Sequence, residues 1–163
     1  MLAAVPTSHS GLFRLVGRLL MSAAAAGLAA AVLGGCTSHA PLRTQISDWA
    51  GTSNIVGLDQ QVGLDLSAIA KARPSSSPGT MQTLCLVLND DAGAAYDELP
   101  TPDQQLTNEL NDAYVALDRG ATDCNQGESA GNRSLVGQAF SEIAKGTAYL
   151  HQASSLLASF GVH

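Results

Sequence analysis

Positive charge and aromatic rings are both scarce in this sequence. Lys and Arg together number eight in 163 residues, and aromatic side chains make up 4%. From position 36 onward, six basic residues face fourteen acidic ones, a formal charge of −8. A surface of that sign repels phosphate backbones, and so few rings leave no platform on which bases could stack. Nucleic acid is therefore excluded as a partner. Histidine is scarce too. His9 and His39 lie near the start, which leaves His151 and His163. Neither has a second His or a carboxylate at helical metal-binding spacing, so no metal site is expected. The Gly51-Thr52-Ser53-Asn54-Ile55 stretch lacks the last glycine of a nucleophile elbow. A phosphate-binding Gly-Lys loop and a C-x-x-C-H haem site are also missing. With no catalytic set in view, a non-enzymatic chain that uses no cofactor is expected.

The acids match no metal motif. Asn89-Asp90-Asp91-Ala92-Gly93 and residues 118–128 are rich in oxygen ligands but lack the calcium-loop pattern. Glu109 and Asp112 share a helix turn without the Glu-x-x-His pairs of di-iron bundles. They read as a solvated negative surface.

The first 35 residues differ from the rest. Arg14 and Arg18 supply positive charge, no acid occurs before Asp48, and residues 19–33 are apolar or small apart from Ser22. This is the layout of a secretory signal. It ends in Leu33-Gly34-Gly35-Cys36, which resembles the lipobox of bacterial lipoproteins, with Gly34 where Ala, Ser, Thr or Val is more usual. The resemblance implies diacylglycerol on the Cys36 sulfur and cleavage before Cys36 by signal peptidase II. It places the chain on the extracytoplasmic face of a cell membrane, anchored through acyl groups such as palmitate. Two other readings stand beside it, an ordinary cleaved signal and a retained membrane helix. The latter needs about 20 apolar residues, and the run here is shorter and rich in Ala and Gly. One acyl chain binds reversibly while two or three hold firmly, at about 0.8 kcal/mol per buried CH₂. Residues 36–43 then form the lipidated cysteine and a short tether, which keeps residues 44–163 within tens of ångströms of the lipid.

Cys85 and Cys124 are the other two cysteines. In an oxidising compartment an even number of thiols points to a disulfide, the alternatives being two buried free thiols or a metal site. A disulfide requires Cα atoms within about 7 Å. For antiparallel helices to satisfy that, the first must stop near Tyr96 and residues 97–101 must run extended.

Apolar spacing predicts four helices. The first spans residues 44–72 with Ile55, Leu58, Val62, Leu66 and Ile69 on one face. Its Val-Gly-Leu-Asp echo, ending at Asp59 and again at Asp65, has a period of six and reads as coincidence. Trp49 reads as a cap on the core. After a Pro/Ser loop over residues 73–79, the second helix carries Met81, Leu84, Cys85, Leu88, Ala92 and Ala95 on one stripe. The third starts from a capping box at Thr101-Pro102-Asp103-Gln104 and carries Leu106, Leu110, Ala113, Leu117, Ala121 and Cys124, with Gly127 as its C-terminal cap. A polar loop over residues 128–133 leads to Ser134, the expected cap of the fourth. There Val136, Ile143, Leu150 and Leu157 recur every seven residues, beside Ala139, Gly146, Ala153 and Phe160. The predicted fold is an all-α, up-and-down four-helix bundle with one internal disulfide.

The chain resembles cell-envelope lipoproteins of high-GC actinobacteria, on the Ala/Gly-rich lipobox signal, the low Lys content, and the two cysteines flanking Pro100-Thr101-Pro102-Asp103. The expectation is a membrane-anchored envelope module that presents a helix face to another protein or to the cell wall. The alternative is a carrier of a small apolar ligand held between the helices.

Overall fold

The computed structural model describes residues 40–73 and 77–163. The signal, the lipobox residues Leu33, Gly34 and Gly35, and Cys36 lie outside them. Among the described residues the structure is all-helical, and residues 40–73 and 77–163 belong to one compact unit. Five helices appear where four were expected: α1 (Leu42–Ser53), α2 (Ile55–Ala72), α3 (Pro78–Tyr96), α4 (Gln104–Ala130) and α5 (Arg133–Ser159).

The extra helix comes from a break at Asn54, which adopts the left-handed conformation at φ 54°. Asn tolerates that region better than most residues. The break follows from apolar phase. Ile46 and Ile55 are both fully buried, yet at about 100° per residue nine positions would put them on opposite faces of one straight helix. Restarting the helix at Ile55 lets both point inward. The first helix also begins at Leu42, two residues before the expected start. Its side chains tie two distant segments together: the Arg43 guanidinium donates to the Ser159 carbonyl at 3.2 Å, and the Trp49 indole donates to the Glu98 carbonyl at 3.1 Å. Trp49 thus packs on the core edge.

The α3 stripe buries Met81, Cys85, Leu88, Ala92 and Ala95, as its spacing predicts, with Leu84 half-buried beside them. This helix starts inside the predicted loop, because Ser77 caps it by accepting from the Thr80 amide and Pro78 fits its first turn. Cys85 and Cys124 form the expected disulfide, both fully buried, with Cα atoms 6.2 Å apart. The connection differs from the extended run expected, since Asp97 and Glu98 continue as a turn after α3. The capping box also moves. Asp103, not Thr101, caps α4, its carboxylate accepting from the Leu106 amide at 2.8 Å. Thr101 instead braces the turn, donating to the Asp103 carbonyl at 2.6 Å.

At the far end α4 runs past Gly127 to Ala130 and is closed by Gly131 in the left-handed region. The Asn132 amide then donates back to the Gly127 carbonyl at 2.8 Å. Asn132, not Ser134, caps α5 by accepting from the Leu135 amide. Gly127 has another use. A Cβ there would stand 2.9 Å from the Val136 amide nitrogen, and one on Gly120 the same distance from the Ala139 carbonyl oxygen. On α5, a Cβ on Gly146 would lie 2.9 Å from the Ala113 carbonyl oxygen and 2.7 Å from Leu117 Cγ. The seam between α4 and α5 is thus closed to backbone contact, and Ala139, Gly146 and Ala153 line it, as the sequence spacing implies. Each of α2, α3 and α4 packs on the helix that follows it, but no α2 Cα comes within 8 Å of an α5 Cα.

Candidate functional site

Two open clefts flank this core. The first lies between α3 and α4, where Ala92 and Gly93 form the floor and Tyr96 and Val115 the exposed walls, in a volume of about 330 Å³. Its acidic rim is Asp97 and Asp118. Asp118 is held in place by Asn89, whose amide donates to the carboxylate at 2.7 Å. Tyr96 is 44% exposed, a large ring left out of the core in a cleft that two carboxylates also line. Aromatic side chains that combine an apolar body with a polar tip suit contact surfaces.

The second cleft lies between α2 and α5. Leu66, Ile69 and Ala70 face Phe140, Ile143 and Ala144 across about 320 Å³. At one end the Arg73 guanidinium sits over the Phe140 ring, 4.0 Å from its centroid. Thr147, also on the wall, spends its hydroxyl on the Ile143 carbonyl at 2.8 Å.

Two carboxyl groups lie deeper than a solvated surface allows. Tyr114, 1% exposed, donates to Asp59 Oδ1 at 2.5 Å. Burial pushes the Asp59 carboxyl above its ordinary range despite that hydrogen bond, and burial, with the nearby Asp59 charge, pushes the Tyr114 phenol up. The phenol therefore stays protonated and acts as a fixed donor, not as a base. Asp65 is 8% exposed, and its Oδ2 is buried without a partner while Oδ1 accepts weakly from Gln61 at 3.4 Å. Burial, then the facing Asp91 carboxyl, raise it from 3.8 to about 6. The Glu109 Oε2 atom is likewise buried and unpartnered. The reading of Glu109 as part of a solvated surface is thus corrected, and Asp59 and Asp65, noted in the sequence only as part of an echo, join it among the buried acids. The signal was in the spacing: Asp59 and Asp65 stand three residues either side of buried Val62.

Of the other residues singled out, His151 and His163 are both exposed and Asp112 faces solvent. Among the described residues no three His, Cys, Asp or Glu side chains gather to hold a metal ion, and no helix is long and apolar enough to cross a membrane. Comparison with protein-family models, with curated proteins and with solved structures gives no match.

Proposed function

We propose that the chain is an envelope lipoprotein, retained on the extracytoplasmic face of a membrane by acyl groups on Cys36, whose helical domain is a non-enzymatic interaction module. In this reading α2 to α5 form an up-and-down four-helix bundle and α1 is a brace across one end. The pairing of consecutive helices supports that topology. The observation that carries the anchoring is Leu33-Gly34-Gly35-Cys36, placed after an acid-free apolar run. The partner-facing surface is the α3–α4 cleft, favoured by the exposed Tyr96 and Val115 where Asp97 and Asp118 also line it. That chemistry suits a partner segment bearing apolar and cationic side chains.

Mass spectrometry of the protein from its own cells tests the anchoring. The expected species begins at an acylated Cys36, and Cys36→Ala releases the domain from the membrane fraction. A free thiol at position 36 or an intact Met1 refutes it. Photo-crosslinking from position 115 in the membrane tests the face. A crosslinked partner is expected to vanish when Tyr96 becomes Ala and Asp118 becomes Asn. Crosslinks that survive both changes place the contact elsewhere.

A further inference from the structure

We propose that the groove between α2 and α5 binds the carboxylate end of a long-chain fatty acid, with Arg73 on the head group and Leu66, Ile69, Phe140, Ile143 and Ala144 along the chain. Consecutive helices pack closely, whereas α2 and α5 never bring Cα atoms within 8 Å of each other. The intervening space, about 320 Å³, has the size of a small-ligand site. Its walls are aliphatic and aromatic. The one hydroxyl among them, on Thr147, is already committed to the Ile143 carbonyl, so the lining offers nothing to a polar chain.

Charge then selects the head group. Among the described residues no carboxylate lies within 4.0 Å of Arg73, although acids outnumber bases more than two to one beyond position 36. The guanidinium carbon lies over the Phe140 ring at 4.0 Å, and among the described residues no side chain or carbonyl accepts a hydrogen bond from its N–H groups. A planar fork of donors matches a carboxylate in a bidentate fashion. A doubly charged phosphate is the poorer match, because one cation would face it on a domain of formal charge −8.

Length agrees with this. From Leu66 to Arg73 the groove follows two turns of α2, about 10 Å. Bonds of about 1.5 Å at near-tetrahedral angles advance about 1.3 Å each in a zigzag, so this accommodates roughly nine carbons, with the remainder of a longer chain running on along α5. A polypeptide helix about 10 Å across with its side chains is a poor fit to the same volume. The site is distinct from the α3–α4 cleft and stands whether or not Cys36 is acylated.

The test is titration of the full chain with dansyl-undecanoate, followed by dansyl fluorescence, with unlabelled decanoate, decanol and decyltrimethylammonium as competitors. Saturable one-to-one binding is expected, displaced by decanoate at least tenfold more readily than by decanol and hardly at all by the cation. Arg73→Gln should weaken binding about tenfold. Ala144→Phe, at an exposed position that tolerates bulk without disturbing the core, should abolish it while helical dichroism and melting stay as in the parent. Absence of saturable binding overturns the proposal. So does binding that both variants leave intact, or displacement equally good by all three competitors. Binding sensitive to Ala144→Phe but not to Arg73→Gln overturns the head-group assignment.

Discussion

Replacing Gly146 by Ala sets two effects of known sign against each other. In an open helix the change gains about 1 kcal/mol from helix propensity. Here the new Cβ would stand 2.9 Å from the Ala113 carbonyl oxygen and 2.7 Å from Leu117 Cγ. The leucine can rotate, but the carbonyl belongs to α4 and moves only with its helix. Relief therefore means separating α4 from α5 along the seam that also buries Ala139 and Ala153. Overpacking of this kind costs typically 1–3 kcal/mol, and a backbone partner puts this site near the top of the range. The expected net effect is a loss of about 1–2 kcal/mol, or about 4–8 °C in melting temperature for a domain of this size. Gly120→Ala should behave alike, since its Cβ meets Ile143 Cγ1 at 2.8 Å and the Ala139 carbonyl at 2.9 Å. Gly137→Ala is the control on the same helix as Gly146. Nothing lies within 4 Å of its Cβ, so it should stabilise by about 0.5–1 kcal/mol. Urea unfolding followed by far-UV dichroism measures all three with the disulfide intact. A Gly146→Ala protein as stable as Gly137→Ala would refute the close-contact seam.

Three further outcomes are expected. The Cys85–Cys124 bond spans 39 residues, so paired replacement by Ser should lower stability by about 3–4 kcal/mol in the loop-entropy description; an unchanged urea midpoint would show that helix packing alone confines this segment. Tyr114→Phe removes the donor to Asp59 and strands a half-buried carboxylate, which should cost about 1–3 kcal/mol and is checked by the same unfolding curves, a loss under 0.5 kcal/mol telling against a structural role for the pair. Asp65, raised from 3.8 to about 6, binds its proton more tightly in the folded state, so its contribution is fully present below about pH 3.8 and lost as pH rises through about 6. Full linkage for an isolated group over that interval is about 3 kcal/mol, and because the facing Asp91 carboxyl shares in the titration the effect expected from Asp65 alone is about 1–2 kcal/mol; Asp65→Asn should be the more stable protein at pH 7 and show a flatter profile between pH 4 and 7, and a variant whose pH profile overlays the parent's would refute the assignment.

Legibility in the sequence followed the range of the interaction concerned. The stripes of α3, α4 and α5 were readable because each depends on spacing within one helix, and Ile143, Leu150 and Leu157 are buried where a seven-residue repeat puts them. The disulfide was readable from the count of cysteines and their inward placement. The break at Asn54 was equally local and was missed because the apolar phase of Ile46 had to be compared with that of Ile55. Asp59 and Asp65 stood at core spacing about Val62, a signal that their reading as a coincidental echo left unused. The choice of Asp103 over Thr101 as the α4 cap had no such signal, since both residues suit the role and the Thr101 hydroxyl is engaged instead with Asp103 and Thr107.

The grooves belong to another category, and the two sides of α5 show why. On one side Gly146 draws α5 into backbone contact with α4, whose Gly120 and Gly127 answer it. On the other side α5 presents Phe140 and Ile143 toward Leu66 and Ile69 of α2, and two rows of large side chains keep helix axes apart where glycine lets them meet. An α5 pulled toward α4 cannot also close on α2, because α2 is itself held by α3. The opening beside Arg73 is thus a consequence of where the small residues were placed on the opposite seam. Bulk added at Gly146 should shift α5 toward α2 and narrow the groove, so that packing stability and ligand access change together.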